Sequence, residues 1–110
     1  MKNEREIVAY KNYFLDFIKS LKSSEAKKIY YILDLLKTQE RISTKFVKHL
    51  QEGLYEIRAE YEGNIYRIFF CFDEGRIVVL FNGFQKKSQK TPKSEIEKAL
   101  KIKAEYYESK

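Results

Sequence analysis

Apolar residues recur every third or fourth position in the first third of the chain and near its end, but every second position from Leu54 to Phe84. That change of period separates helices from strands. Phe14, Phe17, Ile18 and Leu21 fall at i, i+3, i+4 and i+7, one face of a helix. Ala26, Ile29, Ile32, Leu33 and Leu36 form a second helical stripe. Lys22-Ser23-Ser24 interrupts the two, and Ser23 or Ser24 suits the second N-cap. So short a break predicts antiparallel neighbours. Ahead of them, Glu6-Ile7-Val8-Ala9-Tyr10 suits a short strand. Residues 38–44 are polar and read as loop, and Phe46, Val47 and Leu50 give a brief apolar turn ending at Gly53.

Residues 54–61, 65–72 and 76–84 are rich in Ile, Val, Phe and Tyr, with turn residues at Glu62-Gly63-Asn64 and Asp73-Glu74-Gly75 between them. They predict a three-stranded antiparallel meander. A last helix follows over about residues 92–107, with Ile96, Ala99, Leu100, Lys103 and Tyr107 on one face. The expected fold is α+β: one domain over 1–110, a small twisted sheet packed against an N-terminal helical hairpin and a C-terminal helix. With two-residue turns, Tyr55, Ile57, Ala59, Tyr66, Ile68, Phe70, Phe72, Ile77, Val79 and Phe81 share a face that should carry the helices. The other face holds Leu54, Glu56, Arg58 and Glu60, then Ile65, Arg67, Phe69 and Cys71, then Arg76, Val78, Leu80 and Asn82. Arg58 and Arg67 therefore lie on one side, directly opposite or diagonal. Like charges so placed repel by some tenths of a kcal/mol. Either Glu56 and Glu60 relieve the repulsion, or an anion bridges the two guanidiniums.

Charge sharpens the second possibility. Lys and Arg number 22 against 16 Asp and Glu, a net charge of +6, which favours an acidic partner such as nucleic acid. The run Gly83-Phe84-Gln85-Lys86-Lys87-Ser88-Gln89-Lys90-Thr91-Pro92 joins the last strand to the last helix. Thr91 suits an N-cap and Pro92 the first helical position. Lysines beside a helix start suit a polyanion, or else form an ordinary solvated loop. Cys71 is the single cysteine, which excludes a disulfide framework and argues against a zinc site; it reads as a half-buried strand residue. His49, the single histidine, reads as structural. The chain opens on charged residues rather than a signal peptide, and no apolar run approaches the ~20 residues of a membrane span. A soluble, cytoplasmic protein without a membrane partner is expected.

Three segments carry a resemblance: Leu50 with Gly53-Leu54-Tyr55-Glu56-Ile57-Arg58; Tyr66-Arg67-Ile68; and Val79-Leu80-Phe81-Asn82 running into the basic stretch through Thr91-Pro92. Together they resemble the HigB-type, or phage-derived toxin-like, branch of the RelE/ParE toxin superfamily. The resemblance implies a mostly antiparallel sheet on helices with an open concave face. It implies a toxin that cuts messenger RNA in the ribosomal decoding site, paired with a helix-turn-helix antitoxin encoded alongside. It places Arg58, Arg67, Lys86 and Lys87 in the catalytic set, with Lys90, Lys93, Phe84 and Asn82 as RNA contacts; Tyr66 is expected in the core. No cofactor or metal is expected, because the ribose 2′-OH can attack its own phosphate under Arg and Lys stabilisation. Many relatives carry His where Asn82 stands, some carry Tyr where Lys93 stands, and some carry Lys where Glu56 stands. Those departures leave the proton-transfer groups unassigned. A gyrase-binding toxin of the ParE kind, or a phage remnant that only binds RNA or its antitoxin, are the competing expectations.

Overall fold

Two turns set the register of the sheet, and they differ by one residue. The computed structural model describes residues 4–86 and 90–110, so Lys87 lies outside the described residues. Its elements are β1 (Glu6–Ala9), α1 (Tyr13–Lys19), α2 (Ser23–Thr38), β2 (Val47–Gln51), β3 (Leu54–Tyr61), β4 (Asn64–Asp73), β5 (Ile77–Lys86) and α3 (Lys93–Glu108). Between β3 and β4, Tyr61 pairs with Asn64, leaving Glu62 and Gly63 at positive φ in a two-residue turn, as that dipeptide favours. Between β4 and β5, Asp73 pairs with Ile77, so the loop is one residue longer than a two-residue turn. Each strand residue alternates faces, and the extra residue inverts the first half of β5 relative to expectation. Val78 and Leu80, not Val79 and Phe81, join Ile57, Ala59, Tyr66, Ile68 and Phe70 on one face.

The sheet has five strands in the order β1-β5-β4-β3-β2, with β1 parallel to β5 and the other neighbours antiparallel. The α+β class is as expected. The segment read as an apolar turn before Gly53 is instead the edge strand β2, paired with β3 from Val47↔Ile57 onward. Its alternation is masked because Lys48 and His49 are both exposed and a bulge interrupts the strand between His49 and Gln51.

Helices cover both faces, not one. Phe14 of α1 and Ile29, Ile32, Leu33 and Leu36 of α2 pack on the first face, and the two helices meet through the Phe14 and Tyr30 rings. Neither Ser23 nor Ser24 caps α2: the N-cap is Lys22, whose backbone N–H donates to the Glu25 side chain at 2.7 Å. Tyr66, buried as expected, donates its hydroxyl hydrogen to that same Glu25. On the second face, Ala99 and Ile102 of α3 pack over Leu54, Phe69, Val79, Phe81 and a fully buried Cys71. The buried stripe of α3 thus runs through Ile102 in place of Lys103, and Tyr107 remains 40% exposed. The far end of α3 is tied down: Tyr106 donates to Asp73 at 2.6 Å and Tyr10 to Glu105 at 3.0 Å.

A second irregularity matters as much as the turn. β5 carries an extra residue between Leu80, opposite Phe70, and Gly83, opposite Ile68. The bulge moves Gly83 onto the α1 face, where a Cβ would stand 2.5 Å from the Phe17 ring. Gly83→Ala is therefore expected to destabilise the fold by about 1–3 kcal/mol, the usual cost of overpacking. Pairing it with Phe17→Leu should recover part of that loss. Denaturant unfolding of the two variants measures both effects.

Candidate functional site

Beyond the bulge, strand alternation and register gather charge on one face. Arg58 of β3 stands directly across from Arg67 of β4, the closer of the two expected placements. Lys48 of β2 stands across from Glu56, and Lys86 of β5 across from Ile65. Directly opposed residues share a face, so each strand from β2 to β5 turns one cation to the side that α3 covers further along.

Glu56 organises the group. It is 3% exposed, and one carboxylate oxygen lies 3.6 Å from Arg67 Nε and 3.8 Å from Arg58 Nε. Its other oxygen accepts the Thr91 hydroxyl at 3.0 Å. Thr91 therefore fastens the start of α3 to the sheet rather than capping it; the N-cap is Pro92, with no side-chain cap bond. Arg67 is also 3% exposed. Its Nη1 donates to its own strand's Tyr66 carbonyl at 3.1 Å, but its Nε has no hydrogen-bond partner. Burial pulls the Arg67 pKa below its ordinary value; Glu56 pushes it back up and Arg58 lowers it further. The guanidinium stays charged. Lys86 is lowered too, first by burial and then by Arg67, with Arg58 and Lys48 adding to the effect and Glu56 opposing it. The cations of β4, β3 and β2 thus all act on Lys86.

The other expected residues divide. Lys90 and Lys93 are exposed around the start of α3. Phe84 lies opposite Arg67 but stacks on Phe69 at 5.7 Å, so its ring is engaged with the core and not held free for a base. Asn82, expected to touch RNA, is 3% exposed in the bulged stretch, and neither side-chain polar atom has a partner. It is as buried as Glu56 and Arg67. His49 is exposed, with its ring edge against Tyr55. Among the described residues, no group of three or more His, Cys, Asp or Glu is placed to hold a metal ion. No helix among them is long and apolar enough to cross a membrane.

Sequence reasoning missed a cavity at the sheet rim. The pairing of β2 with β3 ends at Val47↔Ile57, and the next N–H, that of Arg58, donates to the Phe46 carbonyl at 2.7 Å. Past that point a cavity of about 360 Å³ opens, lined by Lys28, Lys45, Phe46, Arg58, Glu60 and Arg67. Lys28 comes from α2 and Lys45 from the loop before β2, neither near the arginines in sequence. Lys48 lies on a strand, β2, whose alternation the exposed Lys48-His49 pair and the bulge conceal.

Residues 16–104 match the family model described as phage derived protein Gp49-like (DUF891). No curated protein matches the chain. The match begins within α1 and runs into α3, so it takes in all four cation-bearing strands and the buried Glu56. The chain belongs to the Gp49-like phage-derived protein family, which is of the RelE/HigB-like toxin type.

Proposed function

We propose that this protein is the toxin of a type II toxin–antitoxin pair, of the HigB branch, and cuts messenger RNA in the ribosomal decoding site. The observation that carries the reading is the directly opposed Arg58 and Arg67, one of them buried with an unpaired N–H, flanked on the same face by Lys86 and Lys48. Opposed, partly desolvated cations cost stability. An RNA phosphodiester offsets that cost, and buried guanidiniums act on it without rearranging first. In the reaction, the 2′-oxygen bonds to the adjacent phosphorus as the bond from phosphorus to the 5′-oxygen breaks. The products are a 2′,3′-cyclic phosphate and a 5′-hydroxyl. Arg67 and Arg58 hold the phosphate oxygens as negative charge builds, and the Lys86 ammonium gives a proton to the leaving 5′-oxygen, with Lys87 beside it in sequence. Glu56, against both guanidiniums, takes the 2′-OH proton. The proposed partner is a helix-turn-helix antitoxin and the proposed place of action is the cytoplasm, where ribosomes are found.

Asn82 favours a second reading. The buried Asn82 amide cannot deliver a proton to the leaving oxygen, which suits a phage remnant that binds RNA without cutting it.

Arg67 is too buried for a clean test, because its removal also perturbs packing. Arg58→Ala and Lys86→Ala act nearer the surface. Each is expected to lower cleavage by about 10²–10³-fold, read by primer extension on messages after induction, with growth arrest relieved in parallel. Undiminished cleavage in both would refute the mechanism, and salt-sensitive RNA binding by a wild type that never cleaves would select the remnant. Glu56→Gln separates a base from a mere counter-charge. The neutral amide should tighten RNA binding while slowing cleavage; tighter binding with cleavage unchanged would remove Glu56 from the chemistry.

A further inference from the structure

The rim cavity next to the arginines is built for more than a phosphate. Four of its six lining residues are cationic, yet Glu60 faces the same space, and Phe46 adds an aromatic wall. A second bare polyanion would meet the Glu60 carboxylate; a nucleobase would meet it with an amino group. Phe46 is half-buried against the core on the α2 side, and the Lys45 ammonium stands 5.5 Å from its ring centroid, so the ring also borders the exposed side of the cavity. The loop is set before any ligand arrives. Ser43 accepts the N–H groups of Phe46 at 2.9 Å and Val47 at 3.1 Å through its carbonyl, and that of Lys45 at 3.1 Å through its hydroxyl. Arg58 and Arg67 belong both to this cavity and to the phosphate cluster, so the two sites are continuous.

We propose that the cavity seats the nucleotide adjoining the scissile phosphodiester: Phe46 stacks on its base, Lys28 and Lys45 hold its flanking phosphate, and Glu60 accepts from an amino group on the base. This rests on the RNA-cleaving reading and assigns its neighbouring subsite. The volume, about 360 Å³, falls at the lower end of the roughly 300–1,000 Å³ of small-ligand sites, enough for one nucleotide rather than several. The subsite prefers adenine, guanine or cytosine, which carry amino groups, over uracil, which carries none.

The test titrates isotope-labelled protein with inorganic phosphate and with the 3′-monophosphates of adenosine, guanosine, cytidine and uridine, following amide shifts. The amino-bearing nucleotides should bind about tenfold more tightly than inorganic phosphate, through stacking, with the largest shifts at Lys45, Phe46 and Glu60. Phe46→Leu, which keeps an apolar side chain against the core, should erase that advantage. Lys28→Ala and Lys45→Ala should weaken every probe several-fold, and Glu60→Gln should narrow the gap between cytidine and uridine. Equal binding of phosphate and nucleotides, or an unaltered preference in Phe46→Leu, overturns the subsite; a cavity that instead receives an acidic protein segment gives the first of these results. The readout needs no cleavage. Loss of nucleotide preference in a protein that still cuts RNA removes the subsite alone, whereas nucleotide binding in a protein that never cuts removes the nuclease reading alone.

Discussion

A carboxylate set between two guanidiniums allows the rest of this site to exist. Arg58 and Arg67 face each other across an antiparallel pair, where like charges repel, and Arg67 has surrendered nearly all of its water. An uncompensated buried charge costs several kcal/mol. Glu56 compensates it from 3.6 Å, a distance at which attraction persists but a hydrogen bond does not form. The guanidinium is therefore neutralised without being saturated, and its Nε still lacks an acceptor. Glu56 also receives Thr91, so the carboxylate that holds the arginines holds the entry to α3 as well. α3 cannot slide, because Tyr106 and Tyr10 fix its other end.

How much of this was legible depended on single residues in the turns. A two-residue turn at Glu62-Gly63 or at Gly63-Asn64 puts Arg58 and Arg67 on one side, so the shared face was legible, and the structure has the first turn, which sets them directly opposite. Asp73-Glu74-Gly75 resembles the same chemistry, yet its loop is longer by one, which turned Val79 and Phe81 to the wrong face. Lys86 nevertheless ends on the arginine side. The bulge at Phe81-Asn82 adds a second residue to β5 and restores the alternation that the turn had inverted. Two one-residue errors cancelled. Period-two patterning fixes faces only modulo such insertions, and both faces here are apolar enough that hydrophobicity could not arbitrate.

What stayed hidden was long-range. Lys28 and Lys45 reach the cavity only because α2 and the loop before β2 converge at the rim, and nothing local in their sequence neighbourhoods says so. The burial of Arg67 was hidden too, because Glu56, Arg58 and Glu60 made its face look open. Lys48 was legible in principle, but a bulged edge strand with two exposed residues in its middle reads as a turn.

On the nuclease reading, the presence of Glu56 in a phosphate site carries its own logic. A carboxylate beside the arginines weakens the binding of a ground-state phosphodiester, which brings one negative charge. The transition state brings more, so the same cations attract it more strongly while the proton that Glu56 accepts cancels its own repulsion. Interactions that strengthen only as the reaction proceeds raise the rate rather than the affinity. The buried carboxylate, which keeps the folded arginines together in the absence of RNA, thereby ceases to oppose the phosphate at the moment charge develops.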